Sequence, residues 1–139
     1  MAVYLNNKVG VKIGTTDLSD HVKSVTINRS FQELDVTAMG DTGVKRVKGL
    51  EDSNIVVEFM NDTAASSVLQ TLQGVWGTNA AIKLINQKGT AVSAANPVYS
   101  ATVLVNNTTD INGAVGDLST QSITFNVSGA ITVDPSGTF

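Results

Sequence analysis

The 139 residues of this chain suffice for one domain with its own hydrophobic core, and their composition excludes several classes of function. Only 15% of the residues are charged and the formal net charge is −3, which argues against a dedicated nucleic-acid binder. Because the chain has no cysteine, it has no disulfide framework, no thiolate nucleophile and no thiolate-bound metal.

The pattern of apolar residues predicts a mainly β protein. Period-two alternation indicates strands over residues 9–13, 22–29, 31–38, 55–60, 81–85, 99–105 and 122–127, and a tail strand over 130–133 would be the eighth. Residues 62–77 carry the one helical pattern: Asp62 or Thr63 can cap it, and an apolar stripe follows at helical spacing, formed by Ala65, Val68, Leu69, Leu72 and Trp76. We therefore expect a single domain over 1–139, a β-sandwich or barrel of about seven or eight strands with one flanking α-helix.

Two long glycine-bearing segments interrupt this pattern, an arm at about 38–53 and a loop at about 106–119. The arm contains the cation cluster Lys45, Arg46 and Lys48, followed closely by Glu51 and Asp52. Such a cluster can contact phosphate, can protect an exposed edge from unwanted pairing, or can contact an acidic patch on another copy of the chain. The presence of both signs on one segment suits self-association.

The sequence offers few parts for catalysis. His21 follows Ser19 and Asp20, but residues adjacent along the chain point in diverging directions and cannot form a catalytic relay. The acidic pairs Glu33 with Asp35, and Glu51 with Asp52, lack the second acidic cluster or loop spacing that a glycosidase or calcium site needs. The glycine spacing matches no phosphate-binding loop. We expect no enzyme activity, no catalytic or metal-binding residues and no cofactor.

The N-terminal residues lack the cationic start and apolar run of a signal peptide. No stretch of the sequence approaches the roughly 18 apolar residues of a membrane-spanning helix. The expectation is a soluble, unexported protein that does not insert into a membrane.

Several segments, in their order and spacing, resemble the tail tube (major tail) proteins of long-tailed bacteriophages. They are residues 18–41, 47–62, the following helix, 96–105 and 113–132, which together span nearly the whole chain. The most specific pieces are 18–22, the turn at 37–41 with Gly49 and Leu50, and 113–118 leading to 127–129. Members of that family are β-sandwiches flanked by a helix, of which six copies close into a ring and the rings stack into a hollow tube for the genome. Contractile tails and bacterial secretion tubes share the fold, but the sequence is most similar to the siphovirus type.

The resemblance implies a set of partners and a location. The chain would associate with itself and with tip (initiator) and terminator proteins, and its lumen would hold a tape-measure protein and phage DNA without sequence-specific binding. It would reside in the virion tail after assembly in the host cytoplasm.

The resemblance also gives the arm a role as a contact between rings. Its glycines would keep it mobile in the monomer, its apolar residues would anchor it on the neighbouring ring, and its charges would set the register between copies. The alternative is a flexible hairpin loop with no partner. The predicted inter-ring arm consists of Gly40, Asp41, Gly43, Val44, Lys45, Arg46, Val47, Lys48, Gly49, Leu50, Glu51 and Asp52.

A second implication concerns the lumen. We expect strands 31–38, 55–60, 99–105 and 122–127 to form the inner sheet of the ring, with the face opposite the core lining the channel. That face would present Glu33, Asp35, Thr37, Glu58, Thr102, Ser122, Thr124 and Asn126. Three acids without a lysine or arginine would repel DNA rather than hold it. The alternative is an ordinary exposed sheet face, which is polar in any protein.

A different class of function remains open, an isolated Ig-like binding module such as a capsid decoration or adhesion domain. It would be a monomer with an exposed recognition patch, for which the chain offers only Tyr4, Tyr99 and Trp76. An enzyme is a distant third, since it would need a carboxylate or histidine cluster formed only in the fold.

Overall fold

The computed structural model describes residues 3–139 and contains ten strands, one 3-10 turn and one α-helix. The strands are β1 (Gly10–Ile13), β2 (Thr16–Asp17), β3 (Val22–Asn28), β4 (Phe31–Asp35), β5 (Arg46–Glu51), β6 (Asn54–Met60), β7 (Asn79–Ile85), β8 (Val98–Leu104), β9 (Thr120–Val127) and β10 (Thr132–Asp134). The 3-10 turn covers Ser19–His21 and helix α1 covers Val68–Gly74.

Eight of the strands form one antiparallel sheet in the order β2-β1-β7-β8-β9-β6-β3, with β10 paired to β8. β9 and β10 share one edge of β8, because β9 pairs with Val103 and Leu104 whereas β10 pairs with residues 98–100. Val11 of β1 and Val25 of β3 lie near opposite ends of the strand order but pack in one core cluster. The sheet therefore folds over on itself and encloses a single core, as in a sandwich.

Alternation along β6 and β9 determines which side chains enter the core. Ile55, Val57 and Phe59 of β6 are buried, as are Ile123 and Phe125 of β9, while the residues between them face outward. Each inward residue lies opposite an inward residue of the neighbouring strand, so the two rows pack as cross-strand pairs. The predicted fold class, mainly β with one helix, is confirmed; the strand count is higher because β2 and β5 were not expected.

The helix is shorter than predicted and begins later. Asp62 and Thr63 do not cap it: its N-cap is Ser67, and Asp62 instead accepts hydrogen bonds from the Ala64 N–H (2.9 Å) and the Ser67 hydroxyl (3.0 Å). These bonds hold residues 62–67 in a non-helical turn. Of the predicted apolar stripe, Val68 and Leu72 are fully buried against the sheet, whereas Ala65 and Trp76 are exposed.

β4 and β5 pair with each other and form a two-stranded hairpin separate from the main sheet. The prediction that residues 31–38 join the sheet of β6, β8 and β9 is therefore wrong. The predicted glycine-bearing arm is also more regular than expected, since residues 46–51 form the second strand of the hairpin.

Candidate self-association surface

The β4–β5 hairpin projects from the end of the sheet at which β3 ends and β6 begins. Every residue of β4 is exposed, so neither face of the hairpin packs on the body of the domain. At its base the Asp52 N–H donates to the Ser30 carbonyl (2.8 Å), and the Glu51 carboxylate accepts a hydrogen bond from the Ile131 N–H (2.8 Å). The first bond closes the base of the hairpin, and the second fixes that base to the β9–β10 connection.

A bulge near the base makes a glycine necessary. Phe31 lies opposite Glu51, and Glu33 lies opposite Lys48, so two residues of β5 face Gln32 alone. A Cβ atom on Gly49 would lie 2.9 Å from the Gln32 carbonyl oxygen. Gly49 therefore allows the close approach of the two strands, a structural role that differs from the mobility predicted for it.

One face of the hairpin is charged, and its charges have partners within the hairpin. Arg46 Nε lies 3.4 Å from Glu33 Oε2, and Lys48 Nζ lies 4.0 Å from the centroid of the Phe31 ring. At the tip Lys45 Nζ lies 2.9 Å from Asp41 Oδ1. The pKa of Asp41 is lowered first by the hydrogen bond from the Ala38 N–H and then by Lys45.

The opposite face of the hairpin is apolar and has no cover within the described chain. Leu34 lies directly opposite Val47, and these side chains are 49% and 47% exposed. Val36 continues the same face, and Val44 and Met39 at the tip are also exposed. An ordered ribbon with one uncovered apolar face is typical of a surface that is buried in an assembly.

The loop at 106–119 carries a second group of exposed apolar side chains, which the sequence reasoning did not single out. From β8 this segment runs back along β9: the Asn107 side chain donates to the Thr124 carbonyl (3.1 Å), and the Asn112 side chain donates to the Thr120 carbonyl (2.7 Å). These bonds position the loop next to the first residues of β9. Its exposed apolar side chains are Ile111, Val115 and Leu118. The sequence feature that could have predicted this group is the presence of apolar residues between the glycines of a long loop.

Five of the predicted lumen residues lie on one face of the main sheet. Glu58 is directly opposite Ser122, and Asn126 is directly opposite both Asn54 and Leu104. Among the outward-facing residues of β6 and β9, Glu58 is the one charged side chain. The five residues of this outer face are Glu58, Thr102, Ser122, Thr124 and Asn126.

The other three predicted lumen residues belong to the hairpin. Glu33 and Asp35 lie opposite Lys48 and Arg46, and Thr37 lies beyond the end of β4. The Thr37 hydroxyl and N–H bond to Asp35 and lower its pKa. The prediction of a single face with three acids and no cation is therefore wrong, because alternation along a strand does not say which sheet the strand joins.

The structure pairs His21 with a residue that the sequence reasoning did not consider. His21 Nε2 lies 2.7 Å from Asp62 Oδ2, whereas the Ser19 hydroxyl bonds to Asp17. The pKa of Asp62 is lowered, first by the Ala64 N–H and then by Ser67 and His21. Since the Ser67 hydroxyl bonds to Asp62 rather than to His21, these three side chains do not form a nucleophile–base–acid relay.

Two features are absent from residues 3–139, a cluster of metal ligands and a membrane-spanning helix. No three histidine or acidic side chains of this part of the chain are grouped as a metal site would require. No helix formed by these residues has the length and apolar character needed to cross a bilayer.

The aromatic residues of the competing binding-module hypothesis do not gather in one patch. Tyr4 and Tyr99 line an open groove of about 330 Å³ with Val25 and Ile27. Trp76 follows α1 and does not line that groove.

Comparison with solved structures identifies proteins with the same fold. A chain from the virion of a native gene transfer agent particle matches with a TM-score of 0.72 and 12% identity, and the match covers 94% of this chain and 98% of that one. A chain from the tail of an empty gene transfer agent particle, obtained by helical refinement with C6 symmetry, matches with a TM-score of 0.60 and 13% identity over 81% of each chain. No protein-family model matches the sequence, and no curated protein matches it.

Proposed function

We propose that this chain is a phage-type tail tube protein, six copies of which close into a ring, and that the rings stack into a hollow tube. The observation that carries the proposal is the ordered hairpin with an uncovered apolar face, on a fold shared along 94% of the chain with a virion protein. Burial of that face needs a partner, and a repeating structure supplies one in every additional copy.

In this assembly the hairpin contacts a subunit of the adjacent ring through Leu34, Val36 and Val47. Because the base of the hairpin is fixed and its charges are internally paired, we propose that it docks as a preformed ribbon. This differs from an arm that orders on contact, and it lowers the entropy cost of association. We propose a tube of the siphovirus type because the sequence resembles the tail tube proteins of that type.

We further propose that the outer face of β6, β8 and β9 lines the channel. Its hydroxyl and amide side chains, with Glu58 as the charged group on β6 and β9, offer no cation to a DNA phosphate. Each lysine or arginine contact to phosphate would add a salt-dependent attraction that retards passage of the genome. Glu33 and Asp35 are not part of this surface, and the proposed lining is therefore more nearly neutral than the sequence suggested.

The remaining parts of the proposal follow from the same role. The protein is a non-enzymatic component of the virion tail, assembled in the host cytoplasm. Its partners are further copies of itself, tip and terminator proteins at the two ends of the tube, and a tape-measure protein and then DNA inside it.

The test is negative-stain electron microscopy of the purified chain over a concentration series, with light scattering to determine the mass in solution. Six-membered rings or hollow tubes would support the proposal. A monomer at every concentration, including in the presence of a purified tail tip complex as initiator, would contradict it and favour the isolated binding module.

A further inference from the structure

We infer that the surface receiving the hairpin is the apolar tip of the 111–118 loop on a second copy of this chain. The inference rests on the proposed function and adds to it the acceptor on the adjacent ring. Its two sides are the hairpin face of Leu34, Val36 and Val47 with the exposed Val44 at the tip, and the loop residues Ile111, Val115 and Leu118.

The first argument is position. The hairpin leaves the sheet beside Asn28 and Asn54, which pair with each other, and Asn54 also pairs with Asn126. The loop ends beside Thr120, which pairs with Met60 at the other end of β6. Six residue steps separate Asn54 from Met60, or about 20 Å at the rise of a β-strand. The two surfaces therefore lie at opposite ends of the same strands.

That separation prevents the loop from covering the hairpin of its own chain. The base of the hairpin is fixed at Ser30, Asp52 and Ile131, and the loop is fixed along β9 by the Asn107 and Asn112 side chains. Two complementary surfaces at opposite ends of one molecule meet only between copies. Such a head-to-tail contact does not close on two copies, so it repeats.

The second argument is chemistry. Ile111 and Val115 are essentially fully exposed, which is unusual for two large apolar side chains on a loop held by side-chain hydrogen bonds. The segment 106–119 contains the acids Asp110 and Asp117 and no lysine or arginine. Lys45 lies at the tip of the hairpin with 65% of its side chain exposed, so it can face these acids while it remains close to Asp41.

The third argument concerns the other exposed apolar segment. Val3 and Leu5 near the N-terminus are also exposed, and Tyr4 between them lines the groove beside β3. Neither acidic residues nor a cation occur in residues 3–7, so this segment offers no charge complement to Lys45. The 111–118 loop is the acceptor that matches the hairpin in both apolar character and charge.

The absence of cysteine from the sequence permits a direct cross-linking test. Two singly substituted proteins, Val44→Cys and Val115→Cys, are mixed under assembly conditions and oxidised with copper phenanthroline. Since a disulfide forms only when the two Cβ atoms approach closely, a dimer that forms in the mixture beyond the dimer formed by either variant alone reports contact between the tip and the loop of different copies. The matched control replaces Val115→Cys by Leu5→Cys, which is also highly exposed. We expect about tenfold more cross-linked dimer with Val115→Cys than with Leu5→Cys, because a shared interface raises the local concentration.

A second variant separates this inference from the proposed function. The double substitution Ile111→Ser and Val115→Ser changes exposed side chains only, so we expect normal melting and normal six-membered rings but no stacked tubes. Tubes that form normally from this variant, or wild-type-like tubes in which Val44→Cys cross-links no better to Val115→Cys than to Leu5→Cys, would overturn the loop as acceptor and leave the tail tube proposal intact. Failure of the unmodified chain to form rings or tubes would overturn the tail tube proposal, and this inference with it.

Discussion

The apolar face of the hairpin gives the most direct test of whether its residues serve assembly or folding. The perturbation is the double substitution Leu34→Ser and Val47→Ser. Both side chains are about half exposed in the monomer, so about half of each remains to be buried by a partner. Full burial of a large aliphatic side chain contributes about 1.5–3 kcal/mol, and the remaining half is therefore about 1 kcal/mol for each residue.

Two such losses weaken the contact by about 2 kcal/mol per subunit, which corresponds to an increase of about 30-fold in the critical concentration for tube formation. The effect on folding is smaller. The hairpin lies outside the core cluster, and loss of one cross-strand pair removes about 0.2–1 kcal/mol from the hairpin alone.

The assay measures the protein left in the supernatant after tubes are sedimented, over a range of total concentrations. Urea unfolding followed by circular dichroism gives the stability of the monomer for the same samples. Val133→Ser is the matched control, because Val133 is a partly exposed aliphatic residue on β10 and is not part of the hairpin. An unchanged critical concentration, or an equal increase in the Val133→Ser control, would refute the assignment of this face to assembly.

Four further substitutions test other parts of the structure. Gly49→Ala places a Cβ 2.9 Å from the Gln32 carbonyl oxygen, so we expect faster amide hydrogen exchange in the hairpin and fewer tubes. Phe125→Ala leaves a cavity in the core and should lower the free energy of unfolding by about 3–5 kcal/mol in urea titrations. Folding lowers the pKa of Asp62, so its carboxylate stabilises the fold above pH 3.8 and this contribution is lost as the pH falls further; Asp62→Asn should flatten that acid dependence in thermal melts. Glu58→Lys should leave assembly intact but make tubes retain DNA on a filter at low salt.

Each of these four predictions has a contrary outcome. Wild-type exchange rates in the Gly49→Ala hairpin would show that the bulge tolerates a side chain. A Phe125→Ala loss below about 1 kcal/mol would mean that the core collapses around the cavity. If Asp62→Asn loses thermal stability at low pH as the wild type does, the acid sensitivity is due to other carboxylates. Tubes of Glu58→Lys that release DNA as the wild type does would count against the outer face of β6 and β9 as the lining.

Period-two alternation predicted the core strands well, and the reason is physical. On β6 and β9 one face enters the core and the other meets solvent, so every second residue must be apolar, and Ile55, Val57, Ile123 and Phe125 are buried as expected. Residues 31–36 alternate in the same way, but their apolar face is uncovered by the chain. The pattern records that Leu34 and Val36 share a face; it contains no information on whether that face meets the core of this chain or another surface.

The predictions of the helix and of the arm were less accurate, because local hydrogen bonds compete with the structure that the sequence pattern favours. Asp62 uses its carboxylate to hold the turn before α1 rather than to cap the helix, and Ser66 adopts a positive φ of 58° in that turn. In the arm, glycines suggested mobility, whereas Gly49 serves a bulge and residues 46–51 pair with β4. The partners of the arm's charges within the hairpin depend on a register that the sequence alone does not reveal.

The placement of the hairpin and the 111–118 loop at opposite ends of β6 gives the proposed tube a direction. One terminus of such a tube presents a ring of free hairpins, and the other presents a ring of free loops. The two termini therefore offer different surfaces, so a protein that starts the tube and one that stops it recognise different chemistry, and subunits add to the two termini at different rates. The direction of the whole polymer would thus follow from the positions of two short segments in a single subunit.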